Sequence, residues 1–115
     1  MALLPENAPI CVINEPVSGR KGIPGLMAML YGGEFGVNWD QFSPITIVTF
    51  NASLTLCKLL IIDVFGVSCV TRKLTGAKFK NTLKRGLLPL YIRRSDLEHL
   101  LATGTIYESR EQLQL

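Results

Sequence analysis

Short apolar runs of strand length alternate along the chain with small, glycine-bearing or charged breaks, and the elements follow from that rhythm. Residues 9–14 are apolar, rich in β-branched side chains and closed by Glu15-Pro16, which predicts a first strand. Ser18-Gly19-Arg20-Lys21-Gly22 is a flexible basic loop. Pro24 suits the first turn of a helix carrying Leu26, Met27, Met29 and Leu30 to Tyr31, where Gly32-Gly33 stops it. Residues 36–43 read as a loop holding the single tryptophan, Trp39. Residues 44–50 and 54–63 both have strand composition and flank a turn at Asn51-Ala52-Ser53, so they predict a hairpin. A break at Val64-Phe65-Gly66 leads into a third β-rich run, 67–73, and three consecutive strands make an antiparallel meander. Residues 75–86 are polar and basic, a loop or short edge element, and 87–92 form a last strand that Pro89 confines to an edge. Ser95-Asp96-Leu97-Glu98 matches a capping box. The helix it opens runs to Ala102, buries Leu97, Leu100 and Leu101, and stops at Gly104, leaving residues 108–115 as a short helix or frayed end.

Together these elements predict an α+β fold: a small antiparallel β-meander of about four to five strands with two short helices packed on it. At 115 residues a single domain covering 1–115 can bury roughly two-thirds of its unfolded surface, so no cofactor or metal is expected. Two-domain architectures and full dinucleotide-binding folds are excluded by length. Cys11, Cys57 and Cys69 are odd in number, far apart and set among apolar neighbours, which predicts reduced core thiols and a cytoplasmic protein. Pro5 and Glu6 interrupt the N-terminal segment before any apolar run, so no secretory signal is expected. Asn51, Lys58, Asp63 and Gly66 break the greasy stretch 45–70, which excludes a membrane helix.

Charge changes the picture more than composition does. Twelve Lys and Arg against nine Asp and Glu leave a formal charge of only +3, yet no acid occurs between Val64 and Ser95, where Arg72, Lys73, Lys78, Lys80, Lys84, Arg85, Arg93 and Arg94 all lie. Such a stretch suits phosphate backbones, which bind Lys and Arg with counterion release. The Gly19-Arg20-Lys21-Gly22 loop ahead of a helix adds an anion-binding corner. Sequence-specific reading of bases has no support, because no helix-turn-helix, zinc finger or aromatic-decorated sheet is legible.

Catalytic constellations are weaker. His99 is the single histidine and no Gly-x-Ser-x-Gly turn presents a nucleophile. Cys11, Cys57, Cys69 and His99 have the count for zinc without its spacing. Asp40, Asp63 and Glu98 come in an order compatible with two-metal phosphoryl transfer, but a chain of so few elements does not bring them together, and Glu98 is assigned to the helix cap. No catalytic residue and no metal ligand is therefore expected.

The order of motifs resembles the small accessory protein of insertion sequences of the IS-66 class, the TnpB type encoded by the second open reading frame. The similarity spans residues 10–104. It rests on Arg20-Lys21-Gly22-Ile23-Pro24-Gly25-Leu26, on Leu56-Cys57-Lys58-Leu59-Leu60-Ile61-Ile62-Asp63, on Arg72-Lys73-Leu74-Thr75-Gly76-Ala77-Lys78-Phe79 and on Leu100-Leu101-Ala102-Thr103-Gly104. The chain departs from the pattern at Ile62, where a tryptophan is usual, at Thr75, where a glutamate is usual, and after Phe79, where no Trp-Pro follows. The resemblance implies a bacterial, non-enzymatic accessory role in DNA transposition beside a separate transposase. DNA phosphates or that transposase would be met by Arg20, Lys21, Lys58, Arg72, Lys73 and Lys78. The competing expectation is an adaptor that docks a protein partner through an exposed strand edge or residues 91–101, without nucleic acid.

Overall fold

The computed structural model describes residues 4–81 and 90–106. Lys84, Arg85, positions 87–89 of the expected last strand and the expected terminal element at 108–115 lie outside them. The elements run β1 (Ile10–Val12), α1 (Ile23–Tyr31), β2 (Ile45–Phe50), β3 (Leu56–Ile62), β4 (Val67–Lys73), β5 (Lys80–Asn81), β6 (Leu90–Ile92), α2 (Arg94–Thr103) and β7 (Thr105–Ile106). This is the expected α+β class. Five strands form one sheet in the order β4-β3-β2-β1-β6, and β5 and β7 make a separate parallel pair.

The meander holds for β2, β3 and β4, which pair antiparallel from Ile45↔Ile62 to Leu56↔Lys73. The sheet as a whole is mixed, because β1 lies parallel to β2 with Cys11 opposite Ile47. A parallel neighbour needs a long crossover, and α1 with its flanking loops supplies it. β6 then pairs antiparallel with β1 and closes the far edge, where the proline-bearing run was expected.

Side-chain alternation sorts the core into two layers. On one face Cys11, Ile13, Ile45, Ile47, Leu60 and Ile62 pack under Leu26 and Leu30 of α1. On the other, Ile10, Val12, Val48, Phe50, Cys57, Leu59 and Ile61 pack under Leu97 and Leu100 of α2, with the Phe50 and Phe79 rings 5.6 Å apart. The helices thus cover both faces. Strands buried on both sides read as near-continuous apolar runs, which is why β2 and β3 lack polar alternation.

Helix boundaries follow local chemistry. Pro24 stands in the first turn of α1, and the chain leaves at Gly32, whose N–H reaches the Ala28 carbonyl at 2.9 Å. At the far end of that crossover, the Trp39 indole N–H donates to the Ser43 carbonyl at 2.8 Å, and its ring sits 5.4 Å from Tyr31. α2 begins earlier than the Ser95 capping box predicts. Its cap is Arg93, whose backbone N–H is accepted by the Asp96 carboxylate at 3.0 Å, so Asp96 takes the task assigned to Glu98. Arg93 leaves β6 in an extended conformation, which places the helix start directly after the strand. Gly104 ends α2 as expected, with φ at 79° and its N–H on the Leu100 carbonyl at 2.7 Å.

Candidate nucleic-acid interface

The ends of the sheet differ in charge, and the topology explains how. At the end where β2 turns into β3, Asn51 organises the connection: its side-chain oxygen accepts the N–H groups of Thr55 and Leu56 at 2.9 and 3.0 Å. The turn predicted at Asn51-Ala52-Ser53 is therefore one arm of a five-residue loop, with Leu54 at φ 58°. The loop before α1 arrives at the same end, since the Val17 N–H bonds the Phe50 carbonyl at 2.8 Å and Gly19 packs against Leu56. β4 also finishes there, opposite Leu56 and Cys57. Finally, residues 74–80 cross to it, with the Phe79 N–H on the Leu54 carbonyl at 2.8 Å.

Four separate segments thereby bring Arg20, Lys21, Lys58, Arg72, Lys73 and Lys78 to one end of the sheet, and the exposed Lys80 joins them. Two described carboxylates lie by that end: Glu15, on the exit from β1, and Glu98 of α2, which lines a hollow together with Thr71 and Arg72. The opposite end gathers Glu6, Glu34, Asp40, Asp63 and Asp96. Arg93 and Arg94 are carried there too, although they belong to the acid-free stretch of the sequence. Arg93 is 3.6 Å from the Asp96 carboxylate and Arg94 donates to the Leu4 carbonyl at 2.9 Å. Along β4 the two ends are about 24 Å apart at ~3.4 Å per residue, well beyond the Debye length of roughly 8 Å in physiological salt. The far acids are thus screened from the basic end.

The six predicted residues are not equivalent. Register puts Lys58 and Lys73 on the α1 face, beside the loop of Arg20 and Lys21. Arg72 falls on the α2 face, and Lys78 lies where the Lys78 carbonyl and Leu74 crowd Gly104 at the end of α2. The basic surface therefore wraps around the sheet end instead of lying on one flank. Lys58 is half-buried, and its ammonium donates to the Lys21 carbonyl at 2.7 Å, tying β3 to the loop before α1. Arg72 is exposed; its Nε donates to the Leu101 carbonyl at 3.1 Å, which leaves the outer guanidinium nitrogens uncommitted to that bond. None of the six makes an ion pair with a described carboxylate.

Other candidate groups are dispersed. Cys57 and Cys69 point to opposite faces, and Cys11 lies in the α1 layer. Burial pushes the Cys11 and Cys57 thiols up to about 12, so both stay protonated at neutral pH. No group of three or more His, Cys, Asp or Glu converges among the described residues. Asp63 caps the β3–β4 turn, accepting the N–H groups of Phe65 and Gly66 at 2.8 and 2.9 Å. Asp40 is held below the usual carboxylate range by hydrogen bonds from the Ser43 hydroxyl, the Ser43 N–H and the Phe42 N–H. Both acids are thus turn-formers, far from Glu98 on α2. No described helix is long and apolar enough to cross a membrane.

Lys80 belongs to the acid-free stretch of the sequence but not to the six expected contacts, and sequence reasoning missed Asn51 as the organiser of the basic end. The Asn-Ala-Ser spelling marked the turn without revealing the side-chain bonds that hold it. Comparisons with protein-family models, with curated proteins and with solved structures find no match to the chain.

Proposed function

We propose that this chain is a non-catalytic accessory protein of DNA transposition that grips duplex phosphates with the basic end of its sheet. The observation that carries the phosphate half is the gathering of Arg20, Lys21, Arg72, Lys73 and Lys78 from distant segments, with no described carboxylate paired to any of them. The transposition half rests on the resemblance of the motif order to that of the IS-66 accessory proteins, which would imply a transposase as partner and the bacterial cytoplasm as setting. Contact is to the backbone and not to base edges, because flexible lysines wrapped around a sheet end supply charge without a groove-filling helix.

If about four of these cations meet phosphates, log Kobs should fall against log salt with a slope near −3.6. Binding that vanishes in the Arg72→Glu, Lys73→Glu double variant, with circular dichroism unchanged, supports the reading. Absence of duplex binding even at low salt refutes it.

A protein-docking adaptor is the second reading, and one observation favours it. Phe65 is 95% exposed, Val64 75% and Phe42 78%, all at the acidic end, where Leu4, Pro5, Glu6, Pro44 and Asp63 line an adjoining hollow. Co-purification with a transposase that survives high salt and nuclease, and is lost in Phe65→Ser, would favour it over phosphate contact.

A further inference from the structure

β4 is the outer strand of the sheet, seven residues long, without proline or glycine. Its register fixes which backbone groups face outward. Asp63 and Gly66 form a hydrogen-bonded pair, with the Asp63 N–H on the Gly66 carbonyl at 3.0 Å. Hydrogen-bonded and open pairs then alternate up the hairpin, so the N–H and C=O groups of Val67, Cys69, Thr71 and Lys73 point away from β3. No described backbone group bonds them. The opposite edge, β6, spans only three residues and is a poorer template.

We propose that β4 pairs antiparallel with β4 of a second copy of this chain, about a two-fold axis at Val70, joining two sheets into one. Charge selects both the partner and the direction. Arg72 and Lys73 stand at one end of β4, and the Asp63 turn lies beyond the other. Parallel pairing in register would set Arg72 beside Arg72 and Lys73 beside Lys73, which is repulsive. Antiparallel pairing about Val70 sets Arg72 opposite Ser68, Lys73 opposite Val67 and Cys69 opposite Thr71, and it brings each basic end alongside the partner's Asp63 turn. The same register matches outward-facing residues with outward-facing residues, so every free donor of the edge gains an acceptor. Main-chain pairing of this kind is argued from the free backbone of β4 and does not need the phosphate reading, although it sets a partner's Asp63 turn beside Arg72 and Lys73.

Sedimentation equilibrium of the full chain without nucleic acid, at roughly 100 µM, where a Kd of about 1 µM would be saturated, should give twice the 12.7 kDa chain mass. Thr71→Pro removes an outward N–H without touching the β3–β4 ladder, and it should return the mass to that of a single chain with unchanged circular dichroism. Val70→Cys in a Cys69→Ser background should give a disulfide-linked dimer under mild oxidation, because an open antiparallel pair holds its Cα atoms about 4.5 Å apart. A single-chain mass for the parent protein overturns the proposal. So does a dimer that Thr71→Pro leaves intact, or one that the Val70→Cys substitution does not cross-link.

Discussion

Replacing Lys58 by methionine separates a structural cation from a phosphate-binding one. The side chain is half-buried in β3 and its ammonium is 2.7 Å from the Lys21 carbonyl, across 37 positions of sequence. Methionine keeps the apolar stem and loses both the charge and the donor. A hydrogen bond from a charged group contributes about 1.5–3 kcal/mol net, and at ~4 °C per kcal/mol for a chain of this size the melting temperature should fall by roughly 6–12 °C. Urea unfolding followed through Trp39, whose ring lies tilted against Tyr31 at the other end of the same crossover, measures the loss. Exposed Lys73 provides the contrast: Lys73→Met should change stability by less than about 0.5 kcal/mol and reduce the salt slope of duplex binding by about 0.9. Lys58→Met should leave that slope within a few tenths of the parent value. Unchanged stability together with a slope reduced by about 0.9 would show that Lys58 is a free phosphate ligand, and the reasoning from its buried bond would be wrong.

Three further outcomes are expected. Gly104→Ala forces a left-handed residue and drives its Cβ into Leu74 and to 3.3 Å from the Lys78 carbonyl, so denaturant titration should show a loss of roughly 2–4 kcal/mol. Thr46 is fully buried and its hydroxyl has no hydrogen-bond partner; Thr46→Val should raise stability by about 1 kcal/mol in the same assay. Cys11 and Cys57, pushed up to about 12 in the fold by burial, contribute stability that is complete below the unfolded thiol value of about 8.5 and is lost as pH rises from there toward 12. A thiol reagent near pH 8 should accordingly modify only Cys69 in the native protein and all three cysteines in denaturant.

Much of the fold was legible because strongly apolar runs and local breakers agree. Ile45 to Phe50 and Leu56 to Ile62 are strands in any plausible sheet, and Gly104 stops α2 for the conformational reason that only glycine enters the left-handed region freely. What the chain order hides is pairing. A strand, a helix and a strand in sequence are compatible with either direction for β1, and only the packed sheet shows it parallel to β2. Cap position was obscured because Ser95 and Asp96 both fit the start of a helix, and the exit geometry of β6 decides in favour of Arg93. For the candidate site, the acid-free stretch supplies Arg72, Lys73 and Lys78 to one end of the sheet, whereas Arg93 and Arg94 of the same stretch are delivered by the β6 crossing to the other. The role of Lys58 was invisible, because a lysine tethered to a distant carbonyl is spelled like any other.

Opposite charge at the two ends of the sheet would also govern how the molecule arrives at the polyanion proposed for it. A net charge of +3 would by itself give a weak pull, but separation over ~24 Å gives the single chain a dipole along its strands that turns it as it approaches, and antiparallel pairing through β4 would cancel that component. Rotation before contact narrows the orientational search and raises the rate of productive encounter at low ionic strength. If the basic end meets phosphates as proposed, a docked single chain presents Phe42, Val64 and Phe65 on the side turned away from them.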